Sequence, residues 1–203
     1  MRLISATEQT VLQQVVKNMG WSDGLLFAAG TAFFLWVSRH ALRNPQAHGF
    51  YRFFAWECML LLLVLNRQWW HEDMFGWRQQ ISWFLLLLSL ILAIYSVRLL
   101  TRRGGHAGNG RAESELLHFE KTERLVTEGV YRYIRHPMYA ALLYLAWAIY
   151  LKNITVLTTA LVAVTSVLLW LTALRDEAEC RAYFGAPYQD YQRQTKRFVP
   201  FVL

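Results

Sequence analysis

The sequence contains few of the residues that form covalent or metal cross-links. Only two cysteines, Cys58 and Cys180, occur among its 203 residues. One falls in an apolar segment and the other in the C-terminal region, so we expect no disulfide between them. Neither lies at a spacing typical of metal ligands. The sequence therefore predicts no disulfide framework and no metal site.

Recognisable processing and repeat signals are also missing. Residues 1–20 contain no apolar run of the length that a cleaved signal peptide requires. Apolar residues recur there at helical spacing, which favours either a short helix on the membrane surface or an ordinary lead-in helix. There is no internal repeat, and the one low-complexity tract is the glycine-rich segment 104–110. We predict a single membrane domain over residues 1–203, with N-terminal spans and a linker in residues 1–110.

Apolar residues are abundant and are gathered into blocks. They make up 55% of the chain, whereas a soluble domain usually has about 45–50%. A transmembrane helix needs about 20 mostly apolar residues. Candidate spans cover residues 21–38, 53–65, 81–97, 139–151 and 154–174. Because only Lys152 and Asn153 separate the last two, we predict an all-α integral membrane protein of about five transmembrane helices that ends in a tight helical hairpin.

The basic residues are unevenly distributed over the two sides of this five-span arrangement. One side receives sixteen lysines and arginines and the other side receives five. By the positive-inside rule, the long third loop and the C-terminal tail lie in the cytoplasm and the N-terminus lies outside. The net charge of +7 is thus explained by topology and by contact with anionic membrane lipids, and nucleic acid is not expected as a partner.

One ionisable residue, Glu57, falls within a predicted span. A carboxylate at membrane depth indicates a functional group by default. The alternative is a position near the inner interface, where Arg52, about one helical turn away, would partly neutralise it. The sequence leaves both interpretations open.

Residues 125–139 concentrate unusual chemistry at the entrance to the fourth span. Gly129 permits a tight turn or the close approach of a ligand to the backbone. Pro137 suits the first turn of the following helix. His136 and Tyr139 then lie three residues apart on one face of that helix. The residues alone are compatible with a binding site or with an aromatic and basic belt at the interface.

An acidic cluster follows the fifth span directly, at a depth where charges are costly. If the helix continues, Arg175 and Glu179 are an i,i+4 pair, while Asp176 and Glu177 point elsewhere. The tight hairpin returns these carboxylates to the membrane level of the preceding motif. A pocket lined by carboxylates and tyrosines suits a ligand with a cationic centre.

Further motifs follow in order along the C-terminal region. Together the set comprises residues 125–139, Asp176, Glu177, Phe184, Gly185, Tyr188, Tyr191, Arg197 and Pro200. At this spacing, over roughly residues 120–203, the chain resembles the isoprenylcysteine carboxyl methyltransferase family and its phospholipid methyltransferase relatives. The resemblance implies a catalytic region over residues 111–203 and an S-adenosylmethionine-dependent methyltransferase without a metal. It also implies a cytosol-facing cofactor pocket formed by the last two spans, the preceding loop and the tail.

The resemblance also implies roles for individual residues. The positions that match the cofactor pocket are Arg124, Leu125, Val126, Tyr131, His136, Pro137, Met138, Tyr139 and, as alternatives for one acidic position, Asp176 or Glu177. The family places an arginine near the acceptor, but that register holds Thr172 here. Arg175 and Arg197 are then the candidate catalytic residues. A prenylcysteine carboxylate, a phospholipid amine and a hydrophobic thiol or quinol-like molecule remain possible acceptors.

Two other functions are compatible with parts of the sequence. Arg175, Asp176 and Cys180 also fit a tail pattern of NADPH-dependent sterol reductases, although Met138 stands where those enzymes have asparagine. A non-catalytic membrane protein that binds lipid is the second alternative. Ligand binding separates them, since only a methyltransferase should bind S-adenosylhomocysteine.

Overall fold

The chain folds into a bundle of membrane-length helices. A computed structural model describes residues 20–105, 116–117 and 120–200. Its helices are α1 (Trp21–Ser38), α2 (His48–Asn66), α3 (Trp77–Arg103), α4 (Pro137–Tyr150), α5 (Val156–Phe184) and α6 (Ala186–Gln194). Short 3₁₀ segments cover Ala41–Arg43, Arg67–Trp69 and Gly129–Arg132. The predicted N-terminal surface helix and most of the glycine-rich linker lie outside the described residues.

Each of the five predicted spans corresponds to a helix, which confirms the all-α membrane fold. Helix α2 with its following turn, α3 and α5 are long and apolar enough to cross a bilayer. Helix α4 is apolar but has only 14 residues. Helix α1 carries Asp23 in its first turn and is not among the helices that meet the length and hydropathy requirement. The chain is a multi-pass membrane protein with spans of unequal length.

Helix α5 is longer than a bilayer requires, and this extension positions the acidic cluster. Its 29 residues span about 43 Å, whereas the hydrocarbon core is about 30 Å thick. The surplus of about nine residues carries Asp176, Glu177 and Glu179 beyond the apolar section. The helix therefore continues through the acidic cluster, which the sequence had left as a condition. We call this end of the bundle, where α3 and α5 end and α4 begins, the site end.

Small residues and serines hold α4 against its neighbours. Ala140, Ala141, Ala146 and Ala148 are almost fully buried, which lets helix backbones approach closely. Across the contact with α3, the hydroxyl groups of two buried serines donate hydrogen bonds to α4 carbonyls at 2.7 Å. These pairs are Ser82 with Ala148 and Ser89 with Ala141. The short helix is thus fixed by polar contacts that lipid cannot replace.

The predicted hairpin between α4 and α5 is confirmed, with a turn over residues 151–155. Thr155 caps α5 by accepting a hydrogen bond from the backbone N–H of Thr158. Lys152, which a loop position would leave in water, is fully buried. Its Nζ donates to Gln79 Oε1 at 2.9 Å and lies 3.7 Å from the ring centroid of Trp83. The turn is therefore tied to the start of α3.

Gly129 allows α3 to approach the segment that precedes α4. Its φ is +58°, a conformation that side chains disfavour. A Cβ at this position would lie 2.7 Å from Tyr95 Oη and 2.9 Å from Leu99 Cδ2. A close approach to this glycine is therefore present, but the group that approaches is the last part of α3 and not a ligand.

We expect Gly129→Ala to lower the free energy of unfolding in detergent by about 1–2 kcal/mol from the backbone conformation alone. The contact with Tyr95 adds to that loss. Thermal unfolding of the purified protein measures the change. Gly24→Ala is the matched control, because a Cβ there meets no atom within 4 Å and alanine favours the helix. Equal midpoints for the two variants would contradict the prediction.

Candidate functional site

A cavity lies at the site end, between the segment 120–126, the start of α4, the end of α5 and α6. We call it the polar cavity because the charged side chains of Glu120, Arg135 and Asp176 line it, although most of its wall is apolar. It encloses about 100 Å³, which is less than the roughly 300–1,000 Å³ of typical ligand pockets, and the remaining space is open to the surface. Eight of the ten residues predicted for the cofactor line it. They are Leu125, Val126, Tyr131, His136, Pro137, Met138, Tyr139 and Asp176.

His136 links the start of α4 to the end of α5. It is the residue immediately before α4, and its ring stacks on Tyr139 with centroids 5.4 Å apart. Its Nδ1 lies 3.4 Å from Asp176 Oδ2, and its Nε2 lies 3.4 Å from Glu177 Oε1. Burial lowers the pKa of His136, but the two carboxylates more than offset this and raise it above its ordinary value of 6.5. The two carboxylates therefore favour the imidazolium form more than water does.

This balance predicts a pH dependence of stability. The stabilisation from charged His136 is complete below its unfolded pKa of 6.5 and is lost as the pH rises through the raised folded pKa. We expect wild-type protein to lose more stability than His136→Gln between pH 6 and pH 9. Unfolding midpoints of both proteins across this range measure the difference. Parallel curves would show that His136 does not titrate in this way.

The two acidic candidates have different surroundings. Asp176 lines the cavity, whereas Glu177 is 2% exposed and lies behind the wall. Arg197 donates to Glu177 through Nε at 2.8 Å and Nη2 at 3.2 Å. Arg135 donates through Nε and Nη2 at 3.1 and 3.0 Å, and Gln192 donates at 3.0 Å. Of the two predicted alternatives, Asp176 is the one that a ligand in the cavity can contact.

The tail reaches this carboxylate because it pairs with the segment before α4. Backbone N–H groups of Arg135 and His136 donate to the carbonyls of Lys196 and Arg197 at 2.7 and 3.1 Å. Lys196 donates in return to the carbonyl of Tyr133 at 3.1 Å. This bridge places both arginines beside Glu177, and the Arg197 guanidinium also lies 4.8 Å from the ring centroid of Trp170.

Tyrosine side chains supply most of the other polar groups in the cavity wall. Tyr131, Tyr139, Tyr188 and Tyr191 all line the cavity, and Tyr191 donates a 2.6 Å hydrogen bond to the carbonyl of Tyr131. Burial raises the pKa of Tyr131, Tyr188 and Tyr191 above the usual range. These phenols stay protonated at neutral pH, so they act as hydrogen-bond donors and ring faces rather than as bases.

Three further predicted residues lie away from the cavity wall. Arg124 is exposed, and its backbone N–H donates to Gly104. Arg175 donates to Gln46 Oε1 at 2.6 Å and stacks over Tyr51. Glu179 accepts a hydrogen bond from the backbone N–H of His48 at 2.8 Å. Arg197 is engaged by Glu177, so this placement does not support the predicted acceptor role of either Arg175 or Arg197.

Helix α2 contributes residues that the sequence motifs did not reveal. Arg52 donates through Nη1 to Glu120, which lines the cavity. Burial raises the pKa of Glu120, but the Arg52 charge and His48 outweigh it and lower the pKa overall. Glu57, which the sequence paired with Arg52, instead accepts a 2.8 Å hydrogen bond from Thr31 on α1. The helical spacing of His48 and Arg52, one turn apart in an apolar segment, was the available signal.

One group of possible metal ligands occurs among the described residues. Suitable atoms of His48, Asp176 and Glu179 lie within 4.8 Å of one another. His48 Nδ1 already lies 2.7 Å from Glu179 Oε2, and Asp176 lies beside His136. These contacts account for the group as a network of ion pairs, and we assign no metal to it.

A second cavity of about 450 Å³ opens between α2, α3 and α4. Its wall is almost entirely apolar, and it shares Met138 and Tyr139 with the polar cavity. Ser89 also lines it, but its hydroxyl is occupied by the carbonyl of Ala141. Among the described residues that line this cavity, Arg52 is the charged one. The two cavities thus meet at the first turn of α4.

The sequence relatives are methyltransferases. The chain is 28% identical over 123 residues to a probable protein-S-isoprenylcysteine O-methyltransferase of Oryza sativa subsp. indica. The matched segment covers 59% of this chain and 63% of the relative. It is 31% identical over 98 residues to protein-S-isoprenylcysteine O-methyltransferase B of Arabidopsis thaliana, covering 46% of this chain and 49% of the relative. A methanethiol S-methyltransferase of Crocosphaera subtropica is 28% identical over 90 residues, covering 42% and 34%.

The matched segments span less than two thirds of the length of each of these relatives. No solved structure matches the chain significantly. The model of the phospholipid methyltransferase family matches residues 77–186. That match begins earlier than the motifs in the sequence suggested, since it includes all of α3, and it ends before Tyr191 and Arg197. Because it covers more than half of the chain and agrees with the isoprenylcysteine methyltransferase relatives, the chain belongs to the phospholipid methyltransferase family.

Proposed function

We propose that this protein transfers a methyl group from S-adenosylmethionine to a hydrophobic acceptor within the membrane. The observation that carries the proposal is the meeting of the two cavities at Met138 and Tyr139. One cavity lies at the site end and has charged side chains in its wall, and the other lies between spanning helices and is almost entirely apolar. A soluble donor and a membrane-partitioned acceptor need such a pair of compartments with one common wall.

The chemistry of the polar cavity fits this cofactor. When bound, S-adenosylmethionine would supply the methyl group of its sulfonium: an acceptor lone pair would bond to the methyl carbon as the carbon–sulfur bond breaks, and the neutral thioether S-adenosylhomocysteine would leave. Asp176 places a carboxylate in the wall, and four tyrosines present aromatic faces and hydroxyl donors. Carboxylates and aromatic rings are the groups that stabilise a ligand cation. Asp176 and the tyrosines would therefore hold the cofactor.

The chain contributes positioning rather than acid–base chemistry. His136 orients Asp176 and Tyr139 through the contacts described above. The apolar cavity binds the acceptor chain and excludes water around the reacting atoms, which favours in-line displacement. Tyr139, in the common wall, can donate a hydrogen bond near the acceptor head. No residue in this wall needs to take a proton if the acceptor is already an anion.

We also propose that the site end faces the cytoplasm, as the predicted charge asymmetry indicates. Sixteen of the 21 lysines and arginines belong to that side. Protease cleavage of a C-terminal tag in sealed, right-side-out vesicles tests this orientation. Protection of the tag until the vesicles are lysed supports it, and immediate cleavage contradicts it.

Ligand titration tests the proposed activity. Purified protein should bind S-adenosylhomocysteine in isothermal titration and should not bind NADPH. Incubation of membranes with methyl-labelled S-adenosylmethionine, followed by mass spectrometry, should then identify a labelled lipidic product. Binding of NADPH without a response to S-adenosylhomocysteine would instead indicate a reductase. A protein that binds neither compound would be a non-catalytic lipid-binding protein.

A further inference from the structure

The head group of an amphiphilic acceptor needs a partner where the two cavities meet. Thr172, at the register where the family has arginine, is fully buried, and its hydroxyl donates to Leu168 O at 2.8 Å. Arg175 and Arg197 line neither cavity. Arg135 lines the polar cavity, but Glu177 and the carbonyls of Gln192 and Thr195 occupy its guanidinium.

Arg52 is the guanidinium that remains, and it comes from a different helix. It lies on the first turns of α2 and lines the apolar cavity together with Tyr139. It is 3% exposed, and its Cζ lies 5.0 Å from the ring centroid of Trp56. Nη1 is bonded to Glu120, while Nε is buried without a hydrogen-bond partner among the described residues. A buried donor of this kind is costly unless a ligand or a small shift satisfies it.

The surroundings of Arg52 favour an anion over a cation. Glu120, its carboxylate partner, also accepts a hydrogen bond from the backbone of Leu117 at 2.9 Å and lies 3.6 Å from His48 Nε2. The charge of Glu120 is therefore shared among several donors. A guanidinium in an apolar wall attracts a carboxylate or thiolate head and repels an ammonium head.

We propose that Arg52 binds the anionic head of the acceptor and thereby selects a hydrophobic carboxylate or thiolate over an amine. This inference rests on the proposed methyl transfer and specifies its acceptor class. Arg52 supplies from α2 the positive charge that Thr172 cannot supply from α5. The acceptor chain then extends into the apolar cavity between α2, α3 and α4.

Three variants test the assignment. Glu120→Gln is the reference background. It removes the carboxylate that would be left unpaired if Arg52 alone were replaced. The double variant Arg52→Gln with Glu120→Gln then removes the guanidinium. Arg43→Gln, an exposed arginine on the preceding 3₁₀ segment, is the control for loss of one positive charge. S-adenosylhomocysteine titration of each variant shows that the polar cavity remains intact.

The acceptor probes are N-acetyl-S-farnesylcysteine, its neutral carboxamide, dodecanethiol and phosphatidylethanolamine. We expect wild-type protein to methylate the carboxylate or the thiol and to bind the acid more tightly than the carboxamide without cofactor. Relative to Glu120→Gln, the double variant should raise KM for the anion by about 10- to 100-fold, with a smaller change in kcat. Its affinity for the carboxamide should remain the same, and Arg43→Gln should behave as wild type.

The outcomes separate this inference from the function on which it rests. Methylation of phosphatidylethanolamine alone, or an unchanged KM for the anion in the double variant, overturns the role of Arg52 and leaves the methyltransferase standing. Failure to bind S-adenosylhomocysteine and to methylate any probe overturns the proposed function, and this inference with it. A raised KM for the anion in the double variant supports the role, and methylation of the carboxylate without the thiol, or the reverse, then identifies the acceptor.

Discussion

Replacing Glu177 with glutamine is expected to destabilise the site end more than any other single substitution there. The carboxylate is almost fully buried and accepts hydrogen bonds from Arg135, Arg197 and Gln192. Removal of its charge leaves two guanidinium groups facing one another without compensation. Breaking a buried ion pair from one side costs about 3–5 kcal/mol. We expect a corresponding fall in the free energy of unfolding, measured by denaturation in detergent.

The same substitution should also weaken cofactor binding, although Glu177 does not line the cavity. The tail that carries Arg197 pairs with the segment that carries His136, and repulsion between the arginines would separate them. Asp190→Asn is the matched control, because the Asp190–Arg193 pair is exposed on both sides and such pairs contribute about 0–1 kcal/mol. A Glu177→Gln protein as stable as Asp190→Asn would show that the arginines do not depend on this carboxylate.

Replacing Asp176 with asparagine should mainly weaken cofactor binding and should lower stability much less than Glu177→Gln does. The side chain lines the polar cavity, and asparagine preserves its shape while removing its charge. We expect the affinity for S-adenosylmethionine to fall by about 10- to 100-fold, the range for a hydrogen bond or contact with a charged group. S-adenosylhomocysteine lacks the sulfonium charge, so its affinity should fall less. Isothermal titration of both ligands measures the two changes.

The stability of Asp176→Asn distinguishes a binding role from a structural one. Asp176 is partly exposed and contacts His136 at 3.4 Å, so the unfolding midpoint should fall much less than in Glu177→Gln. Glu128→Gln serves as the control for an exposed carboxylate, since both members of its ion pair with Arg103 are largely exposed. Equal losses of affinity for the two ligands would place the Asp176 carboxylate away from the sulfonium.

The two carboxylates show where sequence reasoning reached its limit. Their position just after the fifth span, together with the tight hairpin, correctly predicted that they return to the level of His136 and Tyr139. Adjacent residues on a helix point about 100° apart, so only one of them can face the cavity. Which one does so depends on the rotation of α5, and the packing of α5 against α2 and the pairing of the tail determine that rotation.

Arg52 shows a second limit. Its position in an apolar segment was evident from the sequence, and the nearest available carboxylate, Glu57, gave a reasonable local partner. The observed partner, Glu120, is 68 residues away along the chain. Contacts of this kind follow from the relative position of α2 and the segment before α4, which no local spacing encodes.

The sequence by itself determined the elements that depend on local chemistry. Apolar runs fixed the five long helices, Pro137 fixed the start of α4, and Gly129 fixed the close approach before it. These features follow from bilayer thickness and backbone sterics, which act over a few residues. The tertiary structure decided the rest: that Asp176 faces the polar cavity, that Glu177 binds two arginines, and that Arg52 lines the apolar cavity together with Tyr139. Those assignments depend on contacts between distant segments, because buried charges take whichever partner the packing of the helices brings within reach.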